Sequence, residues 1–229
     1  MRIYASIPSK TSEITEIIRQ LSDLKVSVDQ VVGEKDIFSA HKRGLKNCVE
    51  SGAKDDDVLI LCHDDVEIIS GKKYFMECMK KAYESEELHG VAGTKRLRED
   101  AIWWNSMKFP QETAGCVFHG KDWEDCFCTF YGKPSYVAAI DGLFMYAKVS
   151  VWKRIFESIT EGEINGWNFY DLRYCMSAIK NGIPVYVSAL RLLHYSMGEV
   201  GNREDCHIER NKFLKDYSHM LPLAVRTKH

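Results

Sequence analysis

Two adjacent aspartates follow a short apolar stretch, and they are the first residues whose type and position suggest chemistry. The segment from Val58 to Cys62 is nearly unbroken in apolar character, and His63, Asp64 and Asp65 come directly after it. Adjacent carboxylates repel each other unless a cation, hydrogen bonds or bulk water offset their charge. A divalent metal would supply that cation. A solvated turn or a helix cap is the alternative, and the pair taken alone favours it.

Three more polar positions stand out further along the chain. Asp141 and Gly142 interrupt an apolar segment, so the charge is either paired at a site or placed at a bulge that the glycine relaxes. Asp171 directly precedes a helical pattern, where the helix dipole favours negative charge, although a simple cap fits as well. His194 ends an apolar approach and is either a ligand or a hydrogen-bonded core histidine.

A pair of tryptophans is the third feature whose residue types suggest a chemical role. Trp103 and Trp104 are adjacent, so their side chains point in different directions whatever the local structure. At least one should therefore lie at a surface or cleft, where an aromatic face stacks on sugar rings or bases. A pair of core tryptophans remains the alternative.

The elements that must position these residues follow from the hydrophobic pattern. Apolar runs and helical spacings alternate as strand, helix, strand, helix, strand: Arg2 to Ile7, a helix capped by Ser12, Val26 to Val32, Ile37 to Val49, and Val58 to Cys62. This order predicts a parallel sheet with helices on both faces. Ligands bind beyond the carboxyl ends of such strands, which is where the acidic pair falls. The absence of a glycine-rich dinucleotide or phosphate-binding loop argues against a dehydrogenase or an ATPase.

The second half of the chain has a different sequence pattern. Short β-like runs between Cys116 and Tyr146, separated by Gly, Asp and Pro, predict antiparallel hairpins added to the sheet. A helix should end at Asn181-Gly182, with a last strand from Ile183 to Val187. The polar segment after residue 199 either orders over a bound phosphate or forms a solvated terminal helix. No repeat or linker divides the chain, so one domain over residues 1–229 is expected.

Composition limits the classes of protein. The 229 residues carry a formal net charge of -2, which gives no global basic field for nucleic acid or anionic membrane. No apolar run is long enough to span a bilayer and no signal-type segment follows Met1, so a cytoplasmic protein is expected. The eight cysteines form no Cys-x-x-Cys pair and are expected to be reduced and mostly buried.

The order of the motifs resembles that of one enzyme family. The motifs are His63-Asp64-Asp65, Gly90-Val-Ala-Gly with the tryptophan pair, Asp141-Gly-Leu-Phe, Trp167-x-x-Tyr-Asp171 and His194-x-Ser-x-Gly. Together they resemble the inverting GT-A fold glycosyltransferases of the family-two type, in particular small bacterial and viral members with a His-Asp-Asp motif. The resemblance implies an α/β/α, Rossmann-like sandwich with a mostly parallel central sheet and an added antiparallel segment. Residues 1–100 would form the nucleotide-sugar-binding half, 101–198 the acceptor and catalytic half, and 199–229 a C-terminal tail.

The resemblance also implies roles for individual residues. Asp65 matches the metal-binding end of the family's Asp-x-Asp motif, and His194 matches a late histidine that completes the site for Mn²⁺ or Mg²⁺. Asp171 matches the general base, with Tyr170 in place of the family's Glu. The implied donor contacts are Ile7, Pro8, Lys10, Asp64, Asp141, Gly142 and Arg203, and the implied acceptor contacts are Trp103, Trp104, Trp167 and Tyr170. His63 stands where many members have the first Asp, and its part in the site is open.

The function implied is a metal-dependent inverting transfer of a sugar from a nucleoside-diphosphate sugar to an acceptor hydroxyl. The acceptor is open between a glycan, a lipid-linked glycan and another hydroxyl compound. A modified DNA base is less favoured because the net charge is balanced. Two other functions fit the same residues: a metal-dependent phosphohydrolase or nuclease that uses Asp64, Asp65 and His194, and a non-catalytic nucleotide-sugar-binding module. The donor sugar and the oligomeric state are left open.

Overall fold

The computed structural model describes residues 1–105, 108–160, 162–196 and 204–225. The helices are α1 (Glu16–Asp23), α2 (Ile37–Glu50), α3 (Lys72–Tyr83), α4 (Val149–Glu157), α5 (Tyr170–Lys180) and α6 (Glu204–Tyr217). The longer strands are β1 (Ile3–Ser9), β2 (Ser27–Val32), β3 (Val58–Cys62), β8 (Thr113–His119), β9 (Phe127–Gly132) and β12 (Phe144–Lys148). The short strands are β4 (Val66–Ile68), β5 (Leu88–Gly90), β6 (Ala92–Thr94), β7 (Arg96–Leu97), β10 (Ser135–Tyr136), β11 (Ala139–Ile140), β13 (Val185–Val187), β14 (Leu192–His194) and β15 (Leu223–Ala224).

The central sheet has seven strands in the order β10-β13-β5-β12-β3-β1-β2. Strand β1 pairs parallel with β2 and β3, and β13 pairs parallel with β5. Strand β12 pairs antiparallel with both β3 and β5, so these two strands run in the same direction. Five strands therefore share one direction, which confirms the mostly parallel sheet. The carboxyl ends of β1 and β3 consequently meet at one edge.

A second sheet carries the antiparallel part of the fold. Its order is β11-β6-β8-β14-β4, and β9 pairs with β8 as the antiparallel hairpin that the sequence predicted. Strand β14 runs parallel to β8, with His194 opposite His119, and antiparallel to β4, with His194 opposite Val66. Because Asp65 directly precedes Val66, this register brings His194 to the end of the first acidic motif.

Local sequence explains most helix boundaries. Strand β3 is buried along its whole length, as its apolar run predicts. Helix α2 is capped by Asp36, whose carboxylate accepts a hydrogen bond from the Ser39 amide at 2.7 Å. Helix α1 begins later than predicted, with Thr15 instead of Ser12 at the N-cap. The reason is that Ile14 is exposed, so the buried helical face starts at Ile17.

The C-terminal segment is more than a solvated tail. Helix α6 buries Phe213 and Tyr217, and β15 pairs with β7. The Phe213 ring lies 6.2 Å from that of Phe169, the residue before α5.

Five of the eight cysteines are buried, in line with the sequence prediction: 48, 62, 78, 175 and 206. Among the residues that the structure describes, no helix combines the length and apolar character needed to cross a membrane.

Candidate active site

Three side chains converge where β3 and β14 end. The Nε2 atom of His194 lies 3.4 Å from Asp65 Oδ2, and the Nδ1 atom of His63 lies 3.7 Å from Asp65 Oδ1. One donor atom from each of the three residues lies within 4.8 Å of the others. Within the described residues, the inaccessible Oδ1 atom of Asp65 accepts no hydrogen bond. Two imidazoles and a carboxylate with an unsatisfied oxygen fit a divalent cation. We call these three residues the metal-ligand cluster.

The charges in the metal-ligand cluster suit this role. Partial burial favours a higher pKa for Asp65, but the hydrogen bond and charge of His194 outweigh burial and lower it. Burial likewise opposes protonation of His194, yet Asp65 raises the pKa of that imidazole. For His63 burial dominates, so its pKa is lowered. A charged carboxylate and a neutral imidazole are the forms that bind metals, so the shifts favour the metal-binding forms of Asp65 and His63. A bound cation would have to displace a proton from His194 when that imidazole is protonated.

Tyr170 connects the metal-ligand cluster to helix α5. Its hydroxyl oxygen lies 2.8 Å from His63 Nε2. A Cβ atom built at Gly142 would lie 2.3 Å from that same oxygen, so only glycine leaves room for the phenol there. The sequence assigned Tyr170 to acceptor binding, whereas its hydroxyl is turned to His63.

Asp171 is the first acidic residue of α5 and is half-buried. Its Oδ1 accepts a hydrogen bond from the Leu172 amide at 2.8 Å, and its Oδ2 accepts one from the Gly142 amide at 3.2 Å. Burial, and after it the charge of Asp141, raise the pKa of Asp171 to about 7. A carboxylate with a pKa near the working pH is suited to general base catalysis.

Two cavities meet at these residues. The β1–β3 cavity has a volume of about 440 Å³ and is lined by Pro8, Ser9, Lys10, Ile37, Cys62, His63, Asp64, Asp65, Trp167, Asn168, Tyr170 and Asp205. The aromatic cavity has a volume of about 320 Å³ and is lined by His63, Trp103, Trp104, His119, Phe127, Thr129, Tyr131, Asp141, Gly142, Trp167, Asn168, Phe169, Tyr170, Asp171, Leu172, His194 and Cys206. Four residues line both cavities: His63, Trp167, Asn168 and Tyr170.

Most residues singled out in the sequence lie on these walls. Those in the β1–β3 cavity alone are Pro8, Lys10, Asp64 and Asp65, those in the aromatic cavity alone are Trp103, Trp104, Asp141, Gly142, Asp171 and His194, and those in both are His63, Trp167 and Tyr170. Trp103 is buried and Trp104 is 41% exposed, so one tryptophan of the pair does lie at the surface.

One of the expected donor contacts is not on these walls, and another lies outside the described residues. Ile7 is fully buried within β1 and lines neither cavity, since the β1–β3 cavity reaches only the last two residues of that strand, Pro8 and Ser9. Arg203 lies outside the described residues.

Sequence reasoning missed several wall residues. His119 was not singled out, although its ring centroid lies 5.8 Å from that of His194 and its Nδ1 atom is buried with no hydrogen-bond partner among the described residues. The available signal was the same as for His194, a histidine that ends an apolar run. Asn168, Phe127 and Tyr131 gave no comparable signal, since they come to the cavity through the loop before α5 and through the β8–β9 hairpin.

Comparison with solved structures identifies the fold. GalNAc-T7, crystallised with UDP, GalNAc and Mn²⁺, superposes with a TM-score of 0.52 and 10% identity over 84% of this chain and 37% of that chain. The crystal structure of A197 from STIV superposes with a TM-score of 0.50 and 15% identity over 82% of both chains. This chain therefore spans little more than a third of the GalNAc-T7 chain. No curated protein sequence matches it.

The fold is that of the GT-A glycosyltransferases. The model of the glycosyltransferase-like family matches residues 9–217, which is nearly the whole chain. The chain belongs to this family.

Proposed function

We propose that the protein is a metal-dependent glycosyltransferase that moves a sugar from a nucleoside-diphosphate sugar to an acceptor hydroxyl with inversion of the anomeric centre. One observation carries the proposal: the two cavities share a wall of His63 and Tyr170. Asp65 opens to one side of this wall and Asp171 to the other. Such an arrangement suits a donor diphosphate in one cavity and an acceptor hydroxyl in the other.

The β1–β3 cavity has the chemistry of a donor site. Lys10 offers a positive charge to phosphate, and the Asp64 carboxylate offers an acceptor to nucleotide hydroxyls. The metal-ligand cluster would hold Mn²⁺ or Mg²⁺. When bound, such a cation offsets the negative charge that builds on the leaving diphosphate.

The aromatic cavity has the chemistry of an acceptor site. Trp104 and Trp167 present exposed rings on which a sugar ring or a base stacks. The balanced net charge favours a glycan or lipid-linked glycan acceptor over a modified DNA base. The Asp171 carboxylate takes the proton of the acceptor hydroxyl as this oxygen attacks the anomeric carbon. A single displacement from the face opposite the leaving group inverts the configuration at that carbon.

A panel of nucleotide sugars tests the proposal. The full-length chain is incubated with UDP-, GDP-, dTDP- and CDP-sugars and Mn²⁺, and both nucleoside diphosphate release and thermal stabilisation are measured. We expect both signals with one donor, and we expect EDTA to abolish them. The Asp65→Asn variant should lose the metal-dependent stabilisation. The matched Asp56→Asn variant should keep it, because Asp56 is exposed and pairs with Lys148 outside both cavities.

Two results would count against the proposal. Absence of stabilisation by any nucleoside diphosphate with Mn²⁺ would contradict the donor site. A product that retains the anomeric configuration of the donor, as read by proton NMR, would contradict the single displacement.

A further inference from the structure

Tyr170 forms part of the wall between the two cavities and is 4% exposed. It is the first residue of α5 and directly precedes Asp171. Its hydroxyl oxygen lies 2.8 Å from Nε2 of His63, so the phenol touches the metal-ligand cluster from the side of the catalytic helix.

The position of this hydroxyl bears on which nitrogen of His63 carries the proton. A neutral imidazole has one N–H and one lone pair, and only the nitrogen with the lone pair binds a metal. The Nδ1 atom of His63 faces Asp65, at 3.7 Å from its Oδ1. If Nε2–H donates to the Tyr170 oxygen, the Nδ1 lone pair is left directed at the metal-ligand cluster.

Gly142 supports this arrangement from the opposite side. A Cβ atom at residue 142 would lie 2.3 Å from the Tyr170 oxygen and 2.5 Å from its Cζ. The Gly142 amide also donates a hydrogen bond to Asp171 Oδ2. One backbone segment thus leaves space for the phenol and holds the neighbouring carboxylate.

We propose that Tyr170 is a positioning residue for the metal: its oxygen accepts the Nε2–H of His63 and so presents Nδ1 of that histidine as a ligand. The inference rests on the metal-ligand cluster of the proposed function. It gives Tyr170 a role different from the acceptor contact that the sequence implied. Partners of this kind fix the tautomer and ring orientation of metal-binding histidines.

The chain contains a matched comparison one helical turn further along. Tyr174 on α5 is also buried, and its hydroxyl lies 3.0 Å from Nδ1 of His41. This is the same kind of bond from the same helix, but neither Tyr174 nor His41 lines either cavity. Removing the Tyr174 hydroxyl should therefore disturb the helix without touching the metal-ligand cluster.

The experiment compares Tyr170→Phe with Tyr174→Phe in the full-length chain. Mn²⁺ alone is titrated into each protein, free Mn²⁺ is followed by electron paramagnetic resonance, and the melting temperature is recorded. We expect Tyr170→Phe to weaken Mn²⁺ binding by about 10- to 100-fold, the range found when such partners are lost. Tyr174→Phe should bind Mn²⁺ as the wild type does. Gly142→Ala, which displaces the phenol, should weaken binding as Tyr170→Phe does.

The outcomes separate the inference from the proposed function. If the wild type binds Mn²⁺ and Tyr170→Phe binds it equally well, the inference alone is overturned. The inference also fails if Tyr174→Phe weakens binding as much as Tyr170→Phe, since the effect would then come from a loosened helix. If the wild type binds no Mn²⁺ at millimolar concentration, this result contradicts both the proposed metal site and the inference that rests on it.

Discussion

The surroundings of Asp65 and Asp171 shift the pKa values of these two carboxyl groups in opposite directions. His194 lowers the pKa of Asp65 in spite of partial burial. Burial and the charge of Asp141 raise the pKa of Asp171 to about 7. When two carboxyl groups have pKa values shifted in opposite directions, the one with the lowered pKa stays charged and the one with the raised pKa exchanges protons. The charged Asp65 is suited to hold a cation, and Asp171 is suited to accept a proton.

Replacing Asp171 by Asn tests the base directly. Because an amide cannot accept the acceptor's proton, we expect transfer to fall by about 10²- to 10⁴-fold, the usual contribution of general base catalysis. Stabilisation by donor and Mn²⁺ should persist, since Asp171 does not line the β1–β3 cavity. Initial rates and thermal shifts are the measurements, with Asp56→Asn as the control. Transfer near the wild-type rate would mean that another group takes the proton.

The raised pKa of Asp171 also predicts how stability depends on pH. The folded-state pKa of about 7 exceeds the ordinary value of 3.8, so the folded chain holds a proton that the unfolded chain loses between these values. The contribution of this group to stability is fully present below pH 3.8 and is lost as the pH rises through 7. Asn is always neutral, so the melting temperature of Asp171→Asn relative to the wild type should rise from pH 5 to pH 8.

The substitution by Asn also removes a hydrogen bond, and this loss lowers the melting temperature of the variant at both pH values. Comparing the difference in melting temperature at pH 5 with that at pH 8 cancels this constant loss. The stability prediction is contradicted if the difference in melting temperature between variant and wild type is the same at pH 5 and pH 8. Calorimetry without metal or donor keeps linked binding out of the comparison.

The donor set of the metal-ligand cluster predicts a preference between metals. Mg²⁺ prefers oxygen ligands in strict octahedral geometry, whereas imidazole suits later metals better. With two of three ligands being imidazoles, we expect Mn²⁺ to support faster transfer than Mg²⁺ at equal concentration. Transfer rates after EDTA treatment and readdition of each metal measure this, and equal or faster transfer with Mg²⁺ would speak against two histidine ligands.

Individual elements show how far sequence reasoning reaches. The bounds of β3 and the end of α5 at Asn181 follow from local pattern, because the burial of a strand and the end of a helix depend on residues that are adjacent in sequence. The second sheet does not follow in this way. Its strands are short, and their pairing joins residues far apart in sequence, such as His194 and His119.

The same limit applies to the site. Asp65, Asp171 and His194 were singled out because each stands at the end or start of an apolar pattern, and the resemblance implied their roles. The contact of Tyr170 with His63 joins residues 107 positions apart and also needs the space at Gly142, so no local signal reveals it. Ile7 shows the converse, since a position at a strand's end does not tell which side chain faces the cavity.

Helix α6 is tied to α5 by the buried side chain of Arg173. Arg173 on α5 pairs with Glu163 at 3.0 Å and with Asp216 of α6 at 2.9 Å. Its guanidinium also lies 5.5 Å from the Tyr217 ring centroid. Removing this charge breaks both ion pairs and loosens α6, although the Tyr217 hydroxyl still donates a hydrogen bond to Glu163.

We therefore expect Arg173→Met to lower the free energy of unfolding by about 2 kcal/mol, less than for a fully buried pair because Asp216 is exposed. Lys153→Met is the control, since it breaks an exposed pair with Asp55 and should cost less than about 0.5 kcal/mol. Urea denaturation measures both variants. Equal losses would mean that Arg173 does not anchor α6.

At the scale of the whole molecule, the two predicted halves of the chain share one sheet. Strand β12, from the second half, lies between β3 and β5 of the first. It pairs with β3 over five residues, from Phe144 opposite Cys62 to Lys148 opposite Val58. Strand β13, also from the second half, covers the other side of β5. The division near residue 100 that the resemblance implied therefore runs through a common core, and residues from both sides of it line each of the two cavities.

This interleaving predicts that residues 1–100 do not fold alone. Without β12, β3 would expose a full row of backbone groups and β5 would lose both of its neighbours in the sheet, while the fully buried side chains of Leu59 and Leu61 would lose part of their cover. Circular dichroism of the fragment should show no cooperative thermal transition, whereas the full-length chain should unfold in a single one by both far- and near-ultraviolet signals. A fragment that melts cooperatively would show that β1, β2, β3 and their helices form an independent unit, and the second half would then be an addition to it instead of a part of its core.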